Sequence, residues 1–253
     1  MSDNSALVTG AGSGLGQATA RRLARSGRYV VLFDRDGEAA ARTAKELGDN
    51  AVAVGGDALV DADVETALDA ATAVAPLRAV VLCAGGAPRS ERTVTRDGTP
   101  HDPDLFRRVL QLNVETTFNV LRLAAARMAA QEPALSGERG SVVLTSSIAA
   151  YEGQVGQLAY AASKGAIVSM TLTAARDLAA AGIRVNTIAP GTMHTAAWDG
   201  YDDIRKALEA KVPFPPRLGD PDEFAALAEH LMTNGYVNGT VVRLDGAIRF
   251  EPK

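Results

Sequence analysis

The chain has 253 residues, 47% hydrophobic and 22% charged, which is the balance of a globular protein rather than a disordered or low-complexity one. Twenty-six Lys and Arg against 30 Asp and Glu leave a net charge of −4, so no global charge draws the chain toward nucleic acid or an acidic membrane surface. The single cysteine, Cys83, excludes an intrachain disulfide, and no Cys/His cluster has zinc-binding spacing, the histidines His101, His194 and His230 lying far apart.

Taken in order, short β-branched runs alternate with longer Ala-rich amphipathic stretches. Strands are predicted over Ala6–Thr9, Tyr29–Phe33, Ala51–Val54, Ala79–Leu82, Ser141–Thr145, Arg184–Ile188 and Thr240–Leu244. Helices are predicted over Leu15–Ser26, Gly37–Leu47, Asp61–Val74, Pro103–Ala130, Tyr160–Ala181 and Pro221–Thr233. Asp102-Pro103 and Asp220-Pro221 mark helix starts, because an Asp cap with Pro at the first helical position satisfies the orphan amides without losing a bond. Gly48 and Gly182 mark helix ends. Most strands are apolar on both faces, which suits a parallel sheet covered by helices on each side. The expectation is therefore one doubly wound Rossmann-type α/β domain over residues 1–253, with a seven-stranded parallel sheet flanked by helices on both faces. Two segments, Gly85–His101 and Gly191–Leu218, fit no regular element and follow strands, where such sheets bind ligands.

The apolar runs fall far short of the roughly 20 residues that span a bilayer. Met1–Ser5 has no basic stretch followed by an apolar one. A cytoplasmic protein without membrane or nucleic-acid partners is the expectation.

Thr9-Gly10-Ala11-Gly12-Ser13-Gly14-Leu15-Gly16 joins the first strand to the first helix. Glycine lets the backbone turn tightly and approach a phosphate, and the helix behind it offers unpaired N–H groups and a positive dipole end. A strand precedes, a helix follows, and Asp34 ends the second strand about 18 residues beyond Gly16, near the spacing expected for an acid that binds the adenine ribose. A carboxylate there accepts bonds from the two ribose hydroxyls of NAD and repels the 2′-phosphate of NADP. Arg35 argues the other way, since it could meet that phosphate. The balance favours NAD.

Tyr160 and Lys164 lie four apart on one helix face. An ammonium near a phenol favours the phenolate and fits it for acid–base work near neutral pH. Ser147, just past the strand Ser141–Thr145, falls at the same sheet edge and brings a hydroxyl toward the tyrosine.

The sequence Thr-Gly-x-x-x-Gly-x-Gly at 9–16, Asn113, Ser147, Tyr160-Ala-Ala-Ser-Lys164 and Pro190-Gly191-x-x-x-Thr195, in this order along nearly the whole chain, resembles the short-chain dehydrogenase/reductase family. The resemblance implies Tyr160 as general acid/base and Ser147 as the group holding the reacting oxygen. It implies that Lys164 lowers the tyrosine pKa and holds the nicotinamide ribose, and that Asn113 holds a water in a relay toward Lys164. Thr195 would bind the carboxamide, Asp57 the adenine, and Gly10, Ser13, Leu15 and Gly16 the glycine-loop side of the cofactor. Implied contacts extend to Asp34, Ala58, Cys83, Ala84, Gly85, Pro190, Gly191 and Met193; no metal is implied. The chain departs from the family at Leu82-Cys83-Ala84-Gly85, where Asn-Asn-Ala-Gly is usual, and the loss of those amides leaves the loop's hydrogen bonding open. Cys83 reads as a packing residue beside the cofactor.

The stretches 152–157, 212–221 and 244–249 resemble the branch of that family that oxidises 3-hydroxyacyl-CoA thioesters with NAD, some members also taking hydroxysteroids. That implies an acyl-CoA substrate and a homotetramer, with cofactor residues mainly within 1–150, a catalytic segment at 140–191 and a substrate lid at about 191–218. Arg205, Lys206, Lys211 and Arg217 in or beside the lid either meet CoA phosphates or form a solvated face. Trp198, Met193 and Phe214 either line an acyl pocket or pack the lid onto the core. Two rivals stand beside this reading: an NADPH-linked 3-oxoacyl thioester reductase or alcohol dehydrogenase of the same fold, and a dinucleotide-binding interaction subunit.

Overall fold

The computed structural model describes residues 3–86, 89–198 and 200–251. The elements run β1 (Ser5–Thr9), α1 (Gly14–Arg25), β2 (Tyr29–Asp34), α2 (Gly37–Leu47), β3 (Ala51–Gly55), α3 (Asp61–Thr72), β4 (Leu77–Leu82), α4 (Pro103–Leu110), α5 (Thr116–Ala129), β5 (Gly140–Thr145), α6 (Leu158–Asp177), β6 (Ile183–Pro190), α7 (Asp202–Glu209), α8 (Pro221–Thr233) and β7 (Val241–Leu244). The seven strands form one sheet in the order β3-β2-β1-β4-β5-β6-β7, every neighbouring pair parallel.

Parallel pairing forces each connection to cross over the sheet, and the crossovers cover both faces. The central strands are consequently apolar on both sides: every residue of β1, β5 and β6 is buried, whereas the edge strands β3 and β7 are half-buried. One face packs Leu7, Val31, Val80 and Val142 under α3, α5 and α6; the other packs Val8, Leu32, Val81 and Ile188 under α1, α2 and α8. The caps form as expected. Asp102 accepts from the Asp104 N–H at 2.9 Å, and Asp220 closes a capping box with Glu223. Gly182 ends the turn after α6 at φ +68°.

Two elements differ from expectation. The predicted helix Pro103–Ala130 is divided by a π-helical turn at Gln111–Glu115. There the Asn113 amide donates to the Val109 carbonyl at 3.0 Å and to the Gly86 carbonyl at 2.8 Å, so a side chain competes with the helix ladder and binds a distant loop. The lid, expected to be irregular, contains α7. None of its residues is buried, so it has no core stripe to betray it; Arg205 braces it by ion pairs to Asp202 at 3.2 Å and Glu209 at 2.9 Å.

Candidate active site

β1 lies between β2 and β4, and the connections from its two sides run to opposite faces. A crevice opens where they part, at the carboxyl ends of the strands. Here it is a cleft of about 430 Å³. Gly10, Ser13, Leu15 and Gly16 line it from the glycine loop, and Asp34, Asp57 and Ala58 from the ends of β2 and β3. Cys83, Ala84 and Gly85 line it after β4, and Thr195 closes it from the lid. Arg35, weighed above as a partner for a 2′-phosphate, lines it too, and sequence reasoning missed Leu112 and Thr116. The last two sit at the π-turn and the start of α5, far from any motif.

The glycine loop is built by close approach. Gly10 has φ +65°, and a Cβ on Gly16 would stand 2.1 Å from the Gly10 carbonyl oxygen. The loop can therefore fold flat over the start of α1 only with glycine at both places. Ser13 is extended and makes no side-chain cap, and no acidic residue occupies the first turn of α1. The leading N–H groups and the positive dipole end thus face the cleft with no carboxylate of the helix's own first turn against them. Asp34 takes the Gly12 N–H at 2.8 Å on one oxygen and the Asp36 N–H at 2.9 Å on the other, which fixes its carboxylate at the cleft wall. Asp57 caps its own turn by accepting from Leu59 at 2.9 Å.

After β4 the loop is tied to the end of β1 by its backbone. Cys83 N–H donates to the Thr9 carbonyl at 3.3 Å and Ala84 N–H to the Thr9 hydroxyl at 3.1 Å. Thr145 donates weakly to the Cys83 sulfur at 3.8 Å. Burial pushes the Cys83 thiol up to about 12, so at neutral pH it is an uncharged wall of the cleft. Gly85, at φ +147°, lets Asn113 and Lys164 close over it: a Cβ there would stand 2.7 Å from Asn113 Oδ1 and 3.5 Å from Lys164 Nζ.

Ser147, Tyr160 and Lys164 meet at the end of β5. Ser147 Oγ accepts the Ala149 N–H at 3.1 Å, which leaves its own proton free to donate. Lys164 is only 4% exposed, donates to the Thr145 carbonyl at 3.1 Å, and its Nζ lies 5.7 Å from the Tyr160 ring centroid. Ser146, which the sequence did not single out, is buried and donates to the Lys164 carbonyl at 2.8 Å, tying the start of α6 to the end of β5. Burial lowers the Lys164 pKa to about 8. Burial also raises Tyr160 above its ordinary value, and the hydrogen bond with Ser147 opposes this. The protein's own groups thus shift the phenol upward, opposite to the direction expected from Lys164, because desolvation of the buried ring is the larger effect. Asn113 is fully buried. Its amide hydrogens bind Gly86 and Val109, and its oxygen accepts the Gly86 N–H at 3.0 Å, so the side chain tethers the loop after β4.

The remaining sequence candidates lie beside the cleft. Pro190 ends β6, and Gly191 donates to the Leu244 carbonyl at 2.9 Å. Met193 is buried in the core layer, and its carbonyl accepts from Trp198 Nε1 at 2.9 Å. Among the described residues no group of three or more His, Cys, Asp or Glu could hold a metal, and no helix is long and apolar enough to cross a membrane.

A glycine loop at the switch point of a parallel sheet, with a Ser–Tyr–Lys cluster at the same edge, defines a dehydrogenase that uses a nicotinamide dinucleotide. The short chain dehydrogenase family model matches residues 4–205, and the chain belongs to that family. It is 47% identical to human 3-hydroxyacyl-CoA dehydrogenase type-2 over 98% of this chain and 95% of that protein. It is 45% identical to the Drosophila melanogaster protein of the same name over 97% of each. The crystal structure of 3-hydroxyacyl-CoA dehydrogenase type-2 from Mycobacterium avium superposes with a TM-score of 0.96 at 49% identity, covering 99% of this chain and 98% of that one.

Proposed function

We propose that the protein oxidises a 3-hydroxyacyl-CoA to the 3-oxoacyl-CoA with NAD. The observation that carries the reading is the convergence of Ser147, Tyr160 and Lys164 at the end of β5, in a chain that is 45–49% identical, end to end, to dehydrogenases named for that substrate.

The residues present fit the dinucleotide. Free N–H groups at the start of α1 would hold its pyrophosphate, and Asp34 a free ribose diol. That carboxylate is what favours NAD, although Arg35 lines the same cleft. When bound, NAD supplies the hydride acceptor and, in its oxidised form, a positive charge. Tyr160 takes the proton of the C3 hydroxyl. To do so it must first lose its own, which burial opposes; the Ser147 bond and the nearby Lys164 ammonium favour the anion. With substrate bound, Ser147 turns its one proton from the phenol to the substrate oxygen and fixes it against Tyr160, leaving the Lys164 ammonium to favour the phenolate, so proton and hydride leave from one preset geometry. In reduction the same groups run backward, Tyr160 giving the proton.

The acyl-CoA assignment rests on the relatives. Of the lid cations, Arg205, Lys211 and Arg217 are engaged with Glu209, Glu251 and Glu223, while Lys206 shows no ion pair among the described residues. Met193 packs into the core, and Phe214 is 79% exposed on the lid's exit. Homotetramer formation is part of the same proposal. Phe118 and Leu172, half exposed on α5 and α6, offer apolar surface for another copy to cover.

The test is Tyr160→Phe with straight-chain and 2-methyl 3-hydroxyacyl-CoAs and with NAD or NADP. The expected result is a turnover loss of about 10²- to 10⁴-fold with NAD affinity retained. A wild type that oxidises simple alcohols or hydroxysteroids and ignores the thioesters refutes the substrate; near-wild-type turnover in the variant refutes the mechanism.

A further inference from the structure

Beyond β7 the chain makes a hook that the chemistry above does not use. Asp245-Gly246-Ala247-Ile248 is a tight turn closed by the Ile248 N–H on the Asp245 carbonyl at 3.0 Å, with φ +58° at Gly246 and +65° at Ala247. A left-handed alanine is strained and persists only where its surroundings hold it. Two arginines hold it: the exposed Arg249 donates to Asp245 at 3.2 Å and to the Ile248 carbonyl at 2.7 Å and lies 3.4 Å from Glu152, and behind it sits the more buried Arg243. Its Nε donates to Asp245 at 2.7 Å, one terminal nitrogen donates to the Ile248 carbonyl at 3.2 Å, and the two terminal nitrogens grip Glu152 at 2.7 and 3.0 Å. The guanidinium also lies 5.4 Å from the Tyr151 ring centroid.

The other end of that grip leads to the catalytic serine. Between Ser147 and Glu152 the backbone is wound into a short turn of helix: Ala150 bonds to the Ser147 carbonyl at 3.1 Å, and Tyr151 and Glu152 bond to the Ile148 carbonyl at 2.9 and 3.0 Å. A wound segment moves as a unit, so a displaced Glu152 displaces Ser147. The hook also reaches both ends of the lid. A Cβ on Gly191, where the lid begins, would stand 2.9 Å from the Asp245 Cβ. A Cβ on Gly246 would stand 2.6 Å from Val212 and 3.3 Å from the Phe214 carbonyl oxygen, in the lid's exit. Ile148, Val212 and Ile248 bury one another in a separate apolar cluster.

We propose that Arg243 is a positioning residue for hydride transfer. By clamping the C-terminal hook to Glu152 it sets the Ser147 segment and both ends of the lid in one register. Arg is required because the bidentate grip on Glu152 and the bonds to Asp245 and Ile248 use the planar fork that lysine lacks. The proposal rests on the family's hydride chemistry rather than on the acyl-CoA reading, so the assay uses whichever secondary alcohol the wild type oxidises. Failure on thioesters therefore leaves it standing.

The experiment compares Arg243→Gln, Arg243→Lys and Glu152→Gln with wild type in kcat, KM, NAD affinity and the kinetic isotope effect with substrate deuterated at the carbinol carbon. Misplacing Ser147 by a fraction of an ångström to an ångström lowers kcat by about 10- to 100-fold in Arg243→Gln. The isotope effect on kcat rises, because hydride transfer becomes the slower step, and NAD affinity falls much less than kcat, because only Thr195 and Ala196 of the cleft lining stand on the lid that the hook sets. Arg243→Lys falls between that variant and wild type. Glu152→Gln moves in the same direction by less, and it decides the matter if Arg243→Gln does not fold. An unchanged kcat and isotope effect, or a loss of NAD affinity parallel to the loss of kcat, overturns the proposal.

Discussion

Lys164→Met removes an ammonium that the fold has taken almost entirely out of water. The Lys164 pKa falls from 10.5 to about 8 on burial, which at about 1.4 kcal/mol per pH unit costs the folded state about 3 kcal/mol when the group is charged. The sign follows from linkage. Below pH 8 the lysine is protonated folded and unfolded, and the whole cost is present. Between about 8 and 10.5 the unfolded chain binds the proton and the folded one does not, so the cost fades as the pH rises. Methionine fills a similar volume without charge but gives up the bond to the Thr145 carbonyl, worth about 1 kcal/mol. The variant is therefore expected to be inactive and, at pH 7, more stable than wild type by about 2 kcal/mol. Urea unfolding of both proteins from pH 7 to pH 10 measures this. The stability difference should shrink steadily above pH 8 and come to about zero near pH 10, where about 1 kcal/mol of the charge cost remains to offset the lost hydrogen bond. Cys83 and Tyr160 also titrate differently folded and unfolded in this range, but they are common to both proteins and cancel in the difference to first order. A variant less stable than wild type at pH 7, or a difference that does not change with pH, refutes the account.

Asp34→Ser removes the carboxylate that holds the Gly12 and Asp36 N–H groups; the ratio of kcat/KM with NAD to that with NADP should fall by at least about tenfold, and an unchanged ratio would show that Asp34 does not select the cofactor. Gly85→Ala puts a Cβ 2.7 Å from Asn113 Oδ1 at a backbone angle that alanine avoids, so thermal denaturation should report a loss of about 2 kcal/mol with activity falling alongside; a variant as stable and active as wild type would mean that the loop simply shifts aside.

The order of strands and helices, the caps at Asp102 and Asp220 and the cleft residues from Gly10 to Asp34 were legible in the sequence, because each depends on neighbours along the chain. An apolar run, a proline after an aspartate or a glycine before a helix has the same local meaning in any fold. The Ser147, Tyr160 and Lys164 cluster was legible for a related reason: in a parallel sheet the carboxyl ends of strands and the starts of following helices share one edge, so topology alone brings them together.

What the sequence left open depends on contacts between distant segments. The π-turn at Asn113 exists because Gly86, 27 residues away, offers its carbonyl to the same amide. The direction of the Tyr160 shift is set by how deeply the ring is buried, which no spacing discloses. The fate of the lid cations turned on carboxylates such as Glu223 and Glu251, and the hook on Arg243 reaching 91 residues back to Glu152. Local pattern determined most of the elements that form and which side chains gather at the sheet edge. Desolvation and long-range pairing, which exist only once the chain is packed, decided the charge each buried group holds and which surfaces remain free.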